Sequence, residues 1–129
     1  MNAILVALAL PKAEVSILVL DDADIAVMNE RYLKRTGPTD VISFPMHDYV
    51  FPAVQPQLLG DIAISVPTAQ RQADRRGMTL HEEMAALFIH GILHLLGYDH
   101  ETSPAESRRM RAKQREILAQ VLKTASPAL

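Results

Sequence analysis

Between Met84 and Leu96 the sequence MAALFIHGILHLL is apolar around nearly a whole helical circumference. A helix of that kind has no broad solvated face and belongs at the buried centre of a domain. His90 and His94 stand one turn apart on it, so both imidazoles leave from the same side, with Cβ atoms about 5–6 Å apart. Gly97 supplies the left-handed residue that stops the helix, and the chain can then return His100 over that side. Any fold for this chain must wrap the helix and leave its histidine side open.

That pattern predicts three neutral nitrogen ligands, His90, His94 and His100, around an open fourth position, as in catalytic zinc sites. The chain has no cysteine, which excludes disulfides, thiolate zinc sites and a thiol nucleophile, so a metal must be held by His, Asp or Glu. Zn2+, one per chain, is the preferred ion; three-histidine sites also take nickel, cobalt or copper. A lone histidine on a buried helix is more often a hydrogen-bonded core residue. Three at this spacing, with a helix-ending glycine between the second and third, favour metal.

The spacing H-x-x-x-H-x-x-G-x-x-H equals that of the long zinc-protease motif except at one place. Gly91 stands where those proteases carry their general-base glutamate, which weighs against ordinary proteolysis. A glycine inside a helix is about 1 kcal/mol less favourable than alanine, which points to close packing or substrate approach at Gly91.

Other polar residues carry less. Asp99, beside His100, either orients a ligand by a hydrogen bond or caps the turn. Glu83 shares the side of His90 but lies two turns away, roughly 10 Å along the axis, too far to ligate the same ion. His81 points the other way, and His47 lies in a segment that could approach the site. Arg71, Arg75 and Arg76 share one helix face, read first as a solvated face and second as a phosphate contact.

Around this centre, Glu14 to Leu20 (EVSILVL), Val41 to Phe44 and Asp61 to Ser65 read as strands. Ala3 to Leu10, ended by Pro11, reads as a strand or a helix, with its Ala and Leu favouring helix, and helices are expected from Asp21 or Asp22 to about Lys34 and from about Pro67 to Gly77. Two more are expected from Thr79, with Glu82 completing a capping box, to Leu96, and from Ser103 or Pro104 to Lys123. Two prolines and no clear period make Met46 to Leu59 a surface loop or irregular hairpin. At 129 residues this is one domain, 1–129, of α+β class. A small mixed β-sheet packs with helices, and the central metal-binding helix has zincin-like site geometry.

No apolar run approaches the roughly 20 residues that cross a bilayer, and no basic start precedes Ala3 to Leu10, so no membrane role and a cytoplasmic location are expected. The net charge of −2 argues against strong nonspecific nucleic-acid binding. It hides an asymmetry: residues 1–70 carry four Lys/Arg against eight Asp/Glu, and residues 71–129 carry nine against seven. The basic groups include Arg108, Arg109, Arg111, Lys113 and Arg115, compatible with RNA without establishing it.

The run His90 to Glu101 (HGILHLLGYDHE) closely resembles the signature of the bacterial YbeY family, metal-dependent endoribonucleases of rRNA maturation. Pro38 to Pro45 (PTDVISFP) and Leu59 to Ser65 (LGDIAIS) are similar to two further motifs of that family, in the same order. The resemblance implies a zinc on His90, His94 and His100 and cleavage of single-stranded RNA. It further implies a role in small-subunit rRNA processing and ribosome quality control, with the ribosomal small subunit as partner. Through it, the strand Asp61 to Ser65 and the loop near Ser43 to Pro45 border the cleft; Ser43 is a candidate substrate contact, beside Arg71, Arg75 and Arg76 from their charge. Two departures stand out. Leu33 follows Tyr32 where family members often have arginine, leaving Arg31, Lys34 or Arg35 to substitute, and the segment before Glu14 is shorter than usual. The runner-up reading is a metal-stabilised ribosome-assembly factor with little catalysis; a zinc peptidase comes third.

Overall fold

The computed structural model describes residues 2–10, 12–45, 58–98 and 103–125. The elements run α1 (Asn2–Ala7), β1 (Glu14–Leu20), α2 (Asp22–Leu33), β2 (Val41–Pro45), β3 (Leu58–Ser65), α3 (Val66–Arg76), α4 (Leu80–Leu95) and α5 (Pro104–Ala125). This is the expected α+β architecture with a small mixed sheet. Residues 46–57, read as a loop with His47 in it, lie outside the described residues, as does Pro11.

The strand order is β1-β3-β2, with β1 parallel and β2 antiparallel to β3. β3 therefore sits centrally, and Ile62, Ala63, Ile64 and Ser65 are all fully buried, two on each face. Ile62 packs into the main core with Ile89, Ile92 and Leu93 of α4, Ile4 and Leu5 of α1, and Met110, Ile117 and Val121 of α5. Ala63, on the other face, meets Ile25 of α2 and Ile42 of β2. The apolar helix is thus packed against the sheet through β2 and β3 and against the helices α3 and α5, with α1 lying on α5. Among the described residues no helix is long and apolar enough to cross a membrane.

Local chemistry explains most boundaries. Asp21 caps α2 by accepting from the Asp24 N–H at 2.8 Å. Thr79 and Glu82 form the expected capping box of α4. Gly77 and Gly97 adopt positive φ just past α3 and α4. Three boundaries differ from expectation. β3 begins at Leu58, three residues before Asp61, because it extends alongside Glu14 and Val15 of β1. α1 closes before Pro11: Ala9 turns left-handed at φ 59° and Leu10 N–H donates to Leu5 O at 2.8 Å. α2 ends at Leu33, with Lys34 in the left-handed region at φ 57°.

Asp22, the first residue of α2, joins three elements. Its carboxylate accepts from Ser65 Oγ at 2.7 Å, Thr68 Oγ1 at 2.6 Å and Arg71 Nη2 at 2.6 Å. The hydroxyl bonds to Thr68 and Ser65, then Arg71, hold its pKa down at about 2.

Candidate functional site

The packing of α4 leaves its histidine side facing β2 and the α2–β2 connection. A cavity of about 610 Å³ opens there, lined by His90, His94, Gly97 and Tyr98 on one wall and by Arg35, Asp40 and Ser43 on the other. Gly97, at φ 99°, ends the helix at the cavity rim, with Gly97 N–H bonded to His94 O at 3.0 Å and Tyr98 N–H to Leu93 O at 2.9 Å.

The imidazoles of His90 and His94 cross nearly at right angles, 79° between planes, and their Nε2 atoms converge to 3.2 Å. Two nitrogens each 2.0–2.1 Å from one tetrahedral zinc stand about 3.3 Å apart. The described pair therefore fits a shared cation of that size. His100 and Asp99, the expected third ligand and its neighbour, lie outside the described residues. Among the described residues no group of three His, Cys, Asp or Glu side chains is assembled.

His90 has a partner that the motif did not indicate. Its Nδ1 lies 3.1 Å from Oε1 of Gln114 on α5. A signal for Gln114 was present in the sequence: it falls on the same helical stripe as Met110, Ile117 and Val121, all buried. A polar residue on an apolar stripe needs a partner across the core.

Gly91 is a packing glycine. A Cβ there would stand 3.0 Å from Ile62 Cδ1 and 3.2 Å from Ser43 Oγ, so α4 lies directly against the sheet at this position. The place of the protease glutamate is filled by Ile62 of β3 and Ser43 of β2. Ser43 lines the cavity and donates its hydroxyl to Gly91 O at 3.0 Å.

The second wall is built by hydrogen bonds across the α2–β2 connection. Asn29, buried on α2, donates from its side-chain amide to Gly37 O at 2.9 Å, and its backbone carbonyl accepts from the Arg35 backbone N–H at 3.2 Å. Asp40 accepts from Val41 N–H at 2.7 Å and from Gln72 Nε2 at 3.2 Å. The segment Thr36–Asp40 is thereby pinned, and Arg35 is brought to the cavity. Leu33 also lines it, while Arg31 and Lys34 border a neighbouring depression that shares Arg35. At the far rim the Arg109 guanidinium stacks 4.8 Å over the Tyr98 ring.

The arginines of α3 lie outside this cavity. Arg71 binds Asp22, and Arg76 reaches both carboxylate oxygens of Glu83 at 3.0 and 3.3 Å. Arg75 is exposed, and none of the three is among the residues lining the cavity. Shared spacing along one helix could not reveal these pairs, because both acidic partners sit on other helices. Glu83 itself, fully buried, holds Arg76.

Comparison with known proteins gives a consistent result. Residues 2–122 match the family described as "Endoribonuclease YbeY". The Endoribonuclease YbeY of Geobacter metallireducens is 47% identical over 117 residues, which are 90% of this chain and 78% of that relative. The Syntrophus aciditrophicus protein of the same name is 47% identical over 105 residues, 81% of this chain and 66% of that relative. The solution structure of TM1509 from Thermotoga maritima shares the fold, with a TM-score of 0.63 and 24% identity, covering 98% of this chain and 84% of that one.

Proposed function

The chain belongs to the YbeY endoribonuclease family, and on that premise we propose that it is a zinc-dependent endoribonuclease cutting single-stranded RNA. Its place is in the maturation of small-subunit rRNA and in ribosome quality control, in the cytoplasm. The observation that carries this reading is the convergence of His90 Nε2 and His94 Nε2 to 3.2 Å in a cavity that also receives Arg35.

His90 and His94 would hold the cation, with His100 as the third ligand. Such a cation supplies Lewis acidity to a phosphoryl group and activates a nucleophile at neutral pH. The chain's own residues bind and orient the RNA. Arg35 takes the phosphate, standing in for the arginine that Leu33 replaces, and its forked guanidinium suits two phosphate oxygens at once. Tyr98, backed by Arg109, offers a ring face on which a base can stack. Ser43 ties β2 to α4 at the cavity wall through its bond to Gly91 O. The packing at Gly91 disfavours the peptidase reading, since no general-base carboxylate can stand beside the histidines there.

The test is cleavage of a single-stranded rRNA fragment by wild type and by His94→Ala, each analysed for metal and checked for folding. Stoichiometric metal with cleavage by wild type alone is expected. Equal cleavage by both would sink the reading. Metal binding without cleavage by either protein would put the assembly-factor role ahead. End-group analysis then identifies the attacking oxygen: a 2′,3′-cyclic phosphate means the RNA 2′-OH, and a 5′-phosphate means water.

A further inference from the structure

Gln114 lies on α5, 24 residues from His90, with its Oε1 3.1 Å from His90 Nδ1. An amide oxygen only accepts hydrogen bonds, so Nδ1 of His90 carries the ring proton and donates it. The other ring nitrogen, Nε2, is left with its lone pair, and it points to within 3.2 Å of His94 Nε2. α5 is held rigidly enough to impose this choice: Met110 and Ile117, on either side of Gln114 along the stripe, are buried against the core that contains Ile89, Ile92 and Leu93.

We propose that Gln114 is a positioning residue that holds His90 in the Nδ1–H tautomer and so presents its Nε2 lone pair to a divalent cation shared with His94. This rests on the metal-site reading above. The bland alternative is an amide that merely satisfies a core histidine, with no bearing on cation binding. The physical ground for the stronger claim is that a neutral imidazole exchanges its proton between two nitrogens. A fixed acceptor at one nitrogen raises the share of molecules in which the other is ready to ligate, and it fixes the ring's orientation.

The experiment compares wild type with Gln114→Glu, which keeps an acceptor, Gln114→Leu, which removes it at similar volume, and Gln114→Asn, which shortens it by one methylene. Histidine side-chain 15N spectra of the metal-free proteins read the tautomer of His90. Competition with a chromophoric chelator at fixed pH reads zinc affinity, and thermal unfolding reads the fold. Wild type and Gln114→Glu should show the Nδ1–H form. Gln114→Leu should show a mixture, with zinc affinity lower by about 10–100-fold. Gln114→Asn carries the comparison if the leucine variant does not fold. Unchanged affinity and tautomer in a folded acceptor-less variant would overturn this inference alone. No zinc binding by wild type would overturn the metal reading and this role together.

Discussion

Ser43 on β2 donates its hydroxyl to the backbone carbonyl of Gly91 on α4 at 3.0 Å, tying sheet to helix beside the two histidines. The bond sits where a Cβ on residue 91 would press on Ser43 Oγ and Ile62 Cδ1, so helix, β2 and β3 meet at one tight point. Ser43→Ala should lower stability by about 1 kcal/mol, the usual net value of such a bond, while RNA cleavage persists. Denaturant midpoints and the cleavage assay on the same preparation check both halves. Loss of cleavage at unchanged stability would give Ser43 a direct role on the substrate.

Restoring the protease-like glutamate should fail for steric and electrostatic reasons. Gly91→Glu places a carboxylate against buried Ile62, and destabilisation by more than about 3 kcal/mol is expected. No peptide cleavage should appear with zinc supplied. A folded, zinc-loaded Gly91→Glu protein with peptidase activity would contradict the packing described at this position.

Acid should weaken the link between α2 and α3. Asp22, with its pKa held at about 2 by Thr68, Ser65 and Arg71, contributes stability that is complete above the ordinary aspartate range near 4. That contribution is lost as pH falls through about 2. Asp22→Asn should therefore be less stable than wild type at pH 7, and the gap should close as pH falls from about 4 towards 2. Denaturant titrations across that range measure the closing gap; a gap independent of pH would refute it.

Arg76 is 59% exposed, yet its partner Glu83 is fully buried, so the two halves of this ion pair are unequal. Removing the arginine strands a carboxylate inside the protein. Arg76→Met should be destabilised by about 3 kcal/mol, and Arg76→Met with Glu83→Leu should recover much of it. A double-mutant cycle from urea unfolding gives the coupling directly. Additive losses would show that the pair is not coupled.

Lys34 closes α2 at φ 57°, a conformation that suits glycine. Lys34→Gly should raise stability by about 1 kcal/mol, since a left-handed residue with a side chain carries roughly that strain. The same urea series detects it as a higher midpoint.

Much of this protein was legible locally. The apolar helix, its capping box at Thr79, its stop at Gly97 and the projection of His90 and His94 from one side follow from residue spacing and from short-range hydrogen bonds. Such features need only neighbours within a turn or two, and the sequence lists those neighbours in order. The mixed sheet was expected on the same grounds, although β3 reaches back to Leu58 because its length depends on β1, a distant strand.

Residue spacing specifies the histidine-bearing helix and the strands and helices available to enclose it. The tertiary structure decided which side chains meet there. Gln114 reaches His90 across 24 residues, Ser43 meets Gly91 across 48, and Arg71 finds Asp22 across 49, so that Arg71 is spent on the frame while Arg35 reaches the cavity. Periodicity tells which way a side chain leaves its own element. Only the packing of one element on another determines what it finds on arrival.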